Sequence, residues 1–310
     1  MRIAVMGAGG IGGYFGARLA RAGEAVAFIA RGEHLRAIQA RGLAVKSVGG
    51  DFTVSAAATD DPRRVPELIG PVDLVLFCVK SYDTETAAEA IEPIVGADAA
   101  VLCLQNGVVN EETLARRFGA ARVLAGVVYG FAVIEAPGVI RHTQGGRIVF
   151  GELDGRPNPR AAEFLEAGQR AGFPIERAGD VRAALWEKFL MIAALSGMTA
   201  LTRRPIGEIR ACPESRAMYR MILEELAAIA KAEGVVLPGD AVERSLAAAD
   251  ALKPDSYSSL YHDLSQGRWL ELEGLQGHAV RLGGRHGIPT PALFAVYAAL
   301  RPAALAAERG

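Results

Sequence analysis

Residues 7 to 12 read GAGGIG, a GxGxxG spacing of Gly7, Gly9 and Gly12 set directly after a strand-like run and directly before a helix-like one. In that context the spacing suits a dinucleotide. Gly7 permits a tight turn, Gly9 lets the backbone approach a pyrophosphate, and Gly12 lets the helix pack on the strand. The helix N-terminus, with Gly10 and Ile11 in its first turn, offers N–H groups to the phosphates. A glycine-rich turn without a ligand is the bland alternative, and the flanking pattern argues against it. At the end of the second strand an acidic residue would hold the ribose 2′-hydroxyl of NAD, and a basic one would pair with the 2′-phosphate of NADP. Arg31 stands there. Its guanidinium can grip a phosphate through two parallel hydrogen bonds, which favours NADP, with Glu33 as the competing residue. Lys80 ends the run VDLVLFCVK and Asn106 follows AVLCLQ. Ligands gather outside the carboxyl ends of the strands in an open α/β sheet, so both are candidate cofactor contacts. Asn106 is also the first residue of an Asn-Gly turn signal.

These residues need a parallel sheet to bring them to one edge, and the periodicity supplies it. Arg2 to Met6 is strand-like, Tyr14 to Ala22 helix-like, and Ala25 to Ala30 strand-like again, which makes one βαβ unit. Val72 to Val79 and Ala99 to Leu104 repeat the buried-strand pattern around a helix-like stretch from Thr84 to Ile94. Residues 123 to 153 change character and suggest added antiparallel strands joined by Pro/Gly turns. After Asp180 the chain turns to Ala, Leu, Glu and Arg at helical spacing, ending in an Ala-rich tail from Ala298 that fits a last helix. The expected architecture is an α/β Rossmann domain over 1–180, doubly wound and mostly parallel, followed by an all-α domain over 181–310.

A chain of 310 residues is long enough for two cores. Lys plus Arg (34) nearly balances Asp plus Glu (35), so no global field recruits nucleic acid or an anionic membrane. No apolar stretch approaches the roughly 18 residues of a membrane span. Cys78, Cys103 and Cys212 lie far apart, which argues against a disulfide framework and fits a reducing cytoplasm. The N-terminus lacks a signal-peptide pattern. No metal site is expected, because the five histidines form no ligand spacing with Cys or carboxylate.

GAGGIG, Arg31, VKSYDT from Val79, QNG at 105–107, WEKF from Trp186, LTRRPIGEI from Leu201 and SSLYHDLSQGRWLELEGLQG from Ser258 follow one another in order. In these the chain resembles the ketopantoate reductases (2-dehydropantoate 2-reductases) over essentially its whole length. The resemblance implies NADPH as reductant and a branched 2-oxo acid as the small-molecule substrate, on the route to pantothenate. It implies Lys188 as the catalytic lysine and Glu271 as the acidic residue beside the substrate. It also implies Ser259 as a substrate-binding serine, Asn106 near the nicotinamide and substrate, and Lys80 at the cofactor edge. The chemistry is coherent, since hydride delivery to a ketone leaves alkoxide charge that a positioned cation must neutralise. As general acid Lys188 must be protonated yet able to release its proton; burial beside the cofactor is expected to favour release and Glu271 to oppose it.

The chain departs from the family pattern at one place. Asparagines usually stand one and two turns after the catalytic lysine; here those positions are Ile192 and Ser196. Lys188, Ile192 and Ser196 share a helix face at i, i+4 and i+8, so all three are expected along one substrate wall, now less polar. An apolar wall discriminates by only about 1–3 kcal/mol per methylene. Reduction of another, more apolar 2-oxo acid, as in a D-2-hydroxy acid dehydrogenase, is therefore the alternative, with a non-catalytic NADP-binding redox regulator as the rival from another class. The helical domain is compatible with a homodimer.

Overall fold

The computed structural model describes residues 1–309. The chain forms two compact units, one of Met1–Gln105 with Asn110–Val181, the other of Asn106–Val109 with the chain from Arg182 onward. The short excursion at Asn106–Val109 had no counterpart in a single cut after residue 180.

The first unit is built on ten strands: β1 (Arg2–Met6), β2 (Ala25–Ile29), β3 (Leu43–Ser47), β4 (Phe52–Val54), β5 (Ala57–Thr59), β6 (Leu74–Phe77), β7 (Ala100–Cys103), β8 (Val123–Ala136), β9 (Val139–Glu152) and β10 (Ile175–Arg177). Their order is β4-β3-β9-β8-β7-β6-β1-β2-β5, with β10 also on β9. The run β5-β2-β1-β6-β7-β8 is parallel throughout. This is the doubly wound order whose direction reverses beside the first strand, between β1 and β6. Strand β9 alone turns back against β8, and β3 and β10 then pair parallel with successive stretches of its other edge. The expected antiparallel addition is thus confined to the β8–β9 and β3–β4 pairs.

The central strands RIAVM, LVLF and AVLC are near-continuous apolar runs because helices cover both faces of the sheet. Alternation sorts their side chains. Ile3, Val5, Leu74 and Leu76 point to the face carrying Phe15 of α1 (Gly10–Arg21) and Phe164 of the helix Pro159–Arg170. Ala4, Met6, Val75 and Phe77 point to the face carrying Ile91 of the helix Thr84–Ile91 and Leu114 of the helix Asn110–Phe118.

The second unit is helical, with its own core. Its central element is the helix Val181–Thr202, whose Trp186, Phe189, Leu190, Ala193, Ala194 and Met198 are all buried. This helix is long and apolar enough, by length and composition, to cross a membrane. That corrects the expectation that no stretch approaches such a length: few charges interrupt it because most of its surface packs into the core of this unit. The helix ends are secured locally. Glu225 accepts from the backbone N–H groups of Ala292 (2.8 Å) and Leu293 (2.9 Å) at the start of the helix Pro291–Arg309. Ser258 caps the helix Ser259–Ser265 by accepting from the Tyr261 N–H at 3.1 Å.

Candidate active site

In the first unit the parallel strands carry the predicted cofactor residues to their carboxyl ends: Gly7 after β1, Arg31 after β2 and Lys80 after β6. Gly7 adopts φ 95°, and a Cβ there would lie 2.9 Å from the Val79 nitrogen, so the turn sits against the segment leading to Lys80. A Cβ on Gly12 would fall 2.2 Å from the Gly7 carbonyl oxygen, which is why α1 can lie on β1. Gly9 differs, since a Cβ there would meet nothing within 4 Å. It is the N-cap of α1, and no side chain caps that end, so its N–H groups are left for a phosphate. The cradle therefore fits a dinucleotide pyrophosphate.

Gly10 has a different reason to be glycine. Its Cβ would be 1.9 Å from the Ala132 carbonyl oxygen, so it is demanded by the passage of β8 rather than by a ligand. The Ile11 side chain packs against the core, which leaves only its backbone to a cofactor. Arg31 is the N-cap of the helix Gly32–Arg41, exposed, and makes no side-chain hydrogen bond to that helix end. Lys80 opens the short 3-10 turn Ser81–Asp83 and is half-buried.

His34 was not singled out by its sequence context, yet it braces the turn. Its Nε2 lies 2.9 Å from the Ala8 carbonyl oxygen, and its Nδ1 accepts from the Gly138 N–H at 3.0 Å. Accepting at Nδ1 fixes the neutral tautomer with the proton on Nε2, donating to Ala8. Burial pushes this imidazole below its ordinary pKa, against the opposing pull of the Ala8 carbonyl.

In the second unit Lys188 and Asn106 come together. The lysine Nζ donates to the asparagine Oδ1 at 2.8 Å, across 82 positions of sequence. The excursion Asn106–Val109 is what delivers this asparagine to the helical unit, and Val108 packs on its core. Glu271 is 8 % exposed and lies just before a wide turn at Glu273–Gly277, where the Gly277 N–H reaches back five residues to the Leu272 carbonyl at 2.9 Å. Such π-type turns are uncommon and are frequent at functional sites. Ser259 is exposed in the first turn of its helix, while Ser258 is committed to the cap and to a 2.7 Å hydrogen bond with Thr199.

The helix face expected to line the substrate divides. Lys188 and Ile192 are half-buried, but Ser196 is 4 % exposed and turned into the core. Gln276 Nε2 donates both to Ser196 Oγ (2.9 Å) and to the Ala193 carbonyl (2.8 Å). Ser196 as a substrate contact is thus corrected: its hydroxyl is already satisfied in tying the helix Val181–Thr202 to the turn after Glu271.

A doubly wound sheet with an intact dinucleotide cradle, joined to a helical unit presenting a held lysine, defines a nicotinamide-dinucleotide oxidoreductase. The comparisons give the family. The model described as "Ketopantoate reductase PanE/ApbA" matches residues 3–155, and that of its C-terminal part matches residues 180–304. The chain belongs to the ketopantoate reductase family. It is 33% identical to the 2-dehydropantoate 2-reductase of Mesorhizobium japonicum, over 100% of this chain and 99% of that one. A PanE/ApbA family ketopantoate reductase from Ralstonia eutropha superposes with a TM-score of 0.91 at 38% identity, covering 99% of this chain and 100% of that one. A D-mandelate dehydrogenase solved with NADH and anilino(oxo)acetate shares the fold, with a TM-score of 0.90 at 21% identity over 99% and 100% of the two chains.

Proposed function

We propose that this chain is a cytoplasmic enzyme that reduces 2-dehydropantoate to pantoate with NADPH, with Lys188 as general acid. The observation that carries the reading is the 2.8 Å hydrogen bond from Lys188 Nζ to Asn106 Oδ1. That bond to an amide oxygen fixes the direction of the ammonium. When bound, NADPH supplies a hydride to the 2-oxo carbon. Lys188 gives its proton to the oxygen on which negative charge grows, so that one hydride and one proton convert the 2-oxo acid to the 2-hydroxy acid. Asn106 holds the lysine in place, and the buried Glu271 is the acidic residue beside the substrate. Ser259, exposed at the start of its helix, contacts the substrate. Gly7, Gly9 and Gly12 with the first-turn N–H groups hold the pyrophosphate, Lys80 the cofactor edge, and Arg31 the 2′-phosphate.

A second reading rests on Ile192. An apolar side chain where the family pattern has an asparagine favours a more apolar 2-oxo acid with the same chemistry. Oxidation of NADPH with 2-dehydropantoate, set beside branched and aromatic 2-oxo acids, separates the two. Selective turnover of 2-dehydropantoate supports the first reading, and preference for an apolar acid replaces it with the second.

A further inference from the structure

Strands β2 and β5 are parallel neighbours, Ile29 opposite Thr59, and the Ala30 N–H donates to the Thr59 carbonyl at 3.0 Å. The chain therefore leaves both carboxyl ends side by side, with Arg31 on one and Asp60 to Arg63 on the other. Arg31, Asp60, Asp61, Pro62 and Arg63 line a single open cleft. The loop is fixed. The buried Thr59 hydroxyl accepts from the Asp61 N–H at 3.1 Å, and the Arg64 N–H donates to the Asp61 carbonyl at 3.1 Å.

Arg63 is gripped by its neighbour two residues back. Asp61 Oδ1 accepts from the Arg63 backbone N–H (3.1 Å) and Nε (2.9 Å), and Oδ2 accepts from a terminal guanidinium nitrogen (3.0 Å). Both oxygens of Asp61 are thereby occupied, while Arg63 keeps further N–H groups for a ligand. By formal charge the cleft is balanced, two guanidinium groups against two carboxylates. Net charge thus does not select a phosphate here; what selects is which carboxylate is covered.

We infer that Arg63 determines cofactor preference together with Arg31: it adds a second cation for the 2′-phosphate of NADPH and it covers Asp61. Uncovered, Asp61 is the kind of acid at a strand end that accepts from the 2′-hydroxyl of NADH and repels a phosphate. This inference rests on the NADPH reading above and adds the residues that enforce it. Arg63 is exposed and Asp61 half-buried, and neither belongs to an apolar core.

The test is the dissociation constants of NADPH and NADH, measured by calorimetry without substrate, for the wild type, Arg63→Gln, Asp61→Asn and the double variant. Arg63→Gln is expected to weaken NADPH about 10-fold or more, as loss of a charge-assisted contact should, and to strengthen NADH. Asp61→Asn should keep the preference for NADPH. The double variant should lose the gain in NADH affinity, because Asp61, the carboxylate that Arg63 covers, is gone. A wild type that prefers NADPH, with that preference unchanged in Arg63→Gln, overturns this inference alone. A wild type with no preference for NADPH overturns the cofactor reading as well.

Discussion

The chemistry proposed for this chain turns on a lysine set among apolar residues of a helix. Lys188 becomes distinctive only through Asn106, 82 residues away, and the 2.8 Å bond between them. No local pattern reveals that pairing; the ordered motifs shared with the ketopantoate reductases point to each residue separately, and the bond between them is visible only in the structure. Replacing Lys188 by Ala removes the proposed proton donor. Turnover is expected to fall by about 10²–10⁴-fold while NADPH affinity stays within experimental error. Steady-state NADPH oxidation beside a direct binding titration checks this, and a variant with full turnover would remove Lys188 from the mechanism. Ser196 shows the opposite limit. Helical spacing places it on the lysine's face, yet Gln276 draws it into the core, a contact between residues 80 apart.

At the scale of elements the glycine motif was legible because its spacing falls at a strand-turn-helix. Gly7 and Gly12 have backbone reasons to be glycine, whereas Gly9 faces open space. The reason for Gly10 is the Ala132 backbone of β8, and the brace from His34 to Ala8 and Gly138 is equally remote in sequence. The glycines also separate folding from binding. Gly12→Ala drives a Cβ to within 2.2 Å of the Gly7 carbonyl and should destabilise the first unit by several kcal/mol. Gly9→Ala meets no protein atom within 4 Å and should fold normally, yet fill the space a pyrophosphate needs. Thermal unfolding with NADPH titration distinguishes them: the cradle assignment predicts an unchanged melting temperature and weakened NADPH for Gly9→Ala. Unaltered NADPH affinity in that variant would remove the cradle from cofactor binding.

For the molecule as a whole, two units with separate cores were legible in the shift from alternating to helical periodicity after Asp180. Strands β3, β4, β5 and β10 were not, because they are three to five residues long and are held by neighbours rather than by their own pattern. Acid stability is a property of both units. Burial lowers the pKa of His34 and His142 in the first unit, and takes His278 in the second down to about 4. A histidine held neutral in the folded state binds fewer protons there than when unfolded. Its contribution is complete above the unfolded pKa of about 6.5 and is lost as the pH falls through the folded value. The melting temperature should therefore decline from about pH 6.5 toward pH 4, and His278→Gln should flatten part of that decline. A profile flat across this window would contradict the assignment of these imidazoles as neutral in the folded state.

Reduction of 2-dehydropantoate with NADPH is the activity proposed for this chain. The most direct measurement is consumption of reduced cofactor by purified protein given 2-dehydropantoate, with NADPH and NADH compared and the product identified. Pantoate formed mole for mole with NADPH consumed, and much more slowly with NADH, is the predicted result. Tight NADPH binding without turnover of this or any other 2-oxo acid would contradict the account and leave a dinucleotide-binding regulator in its place.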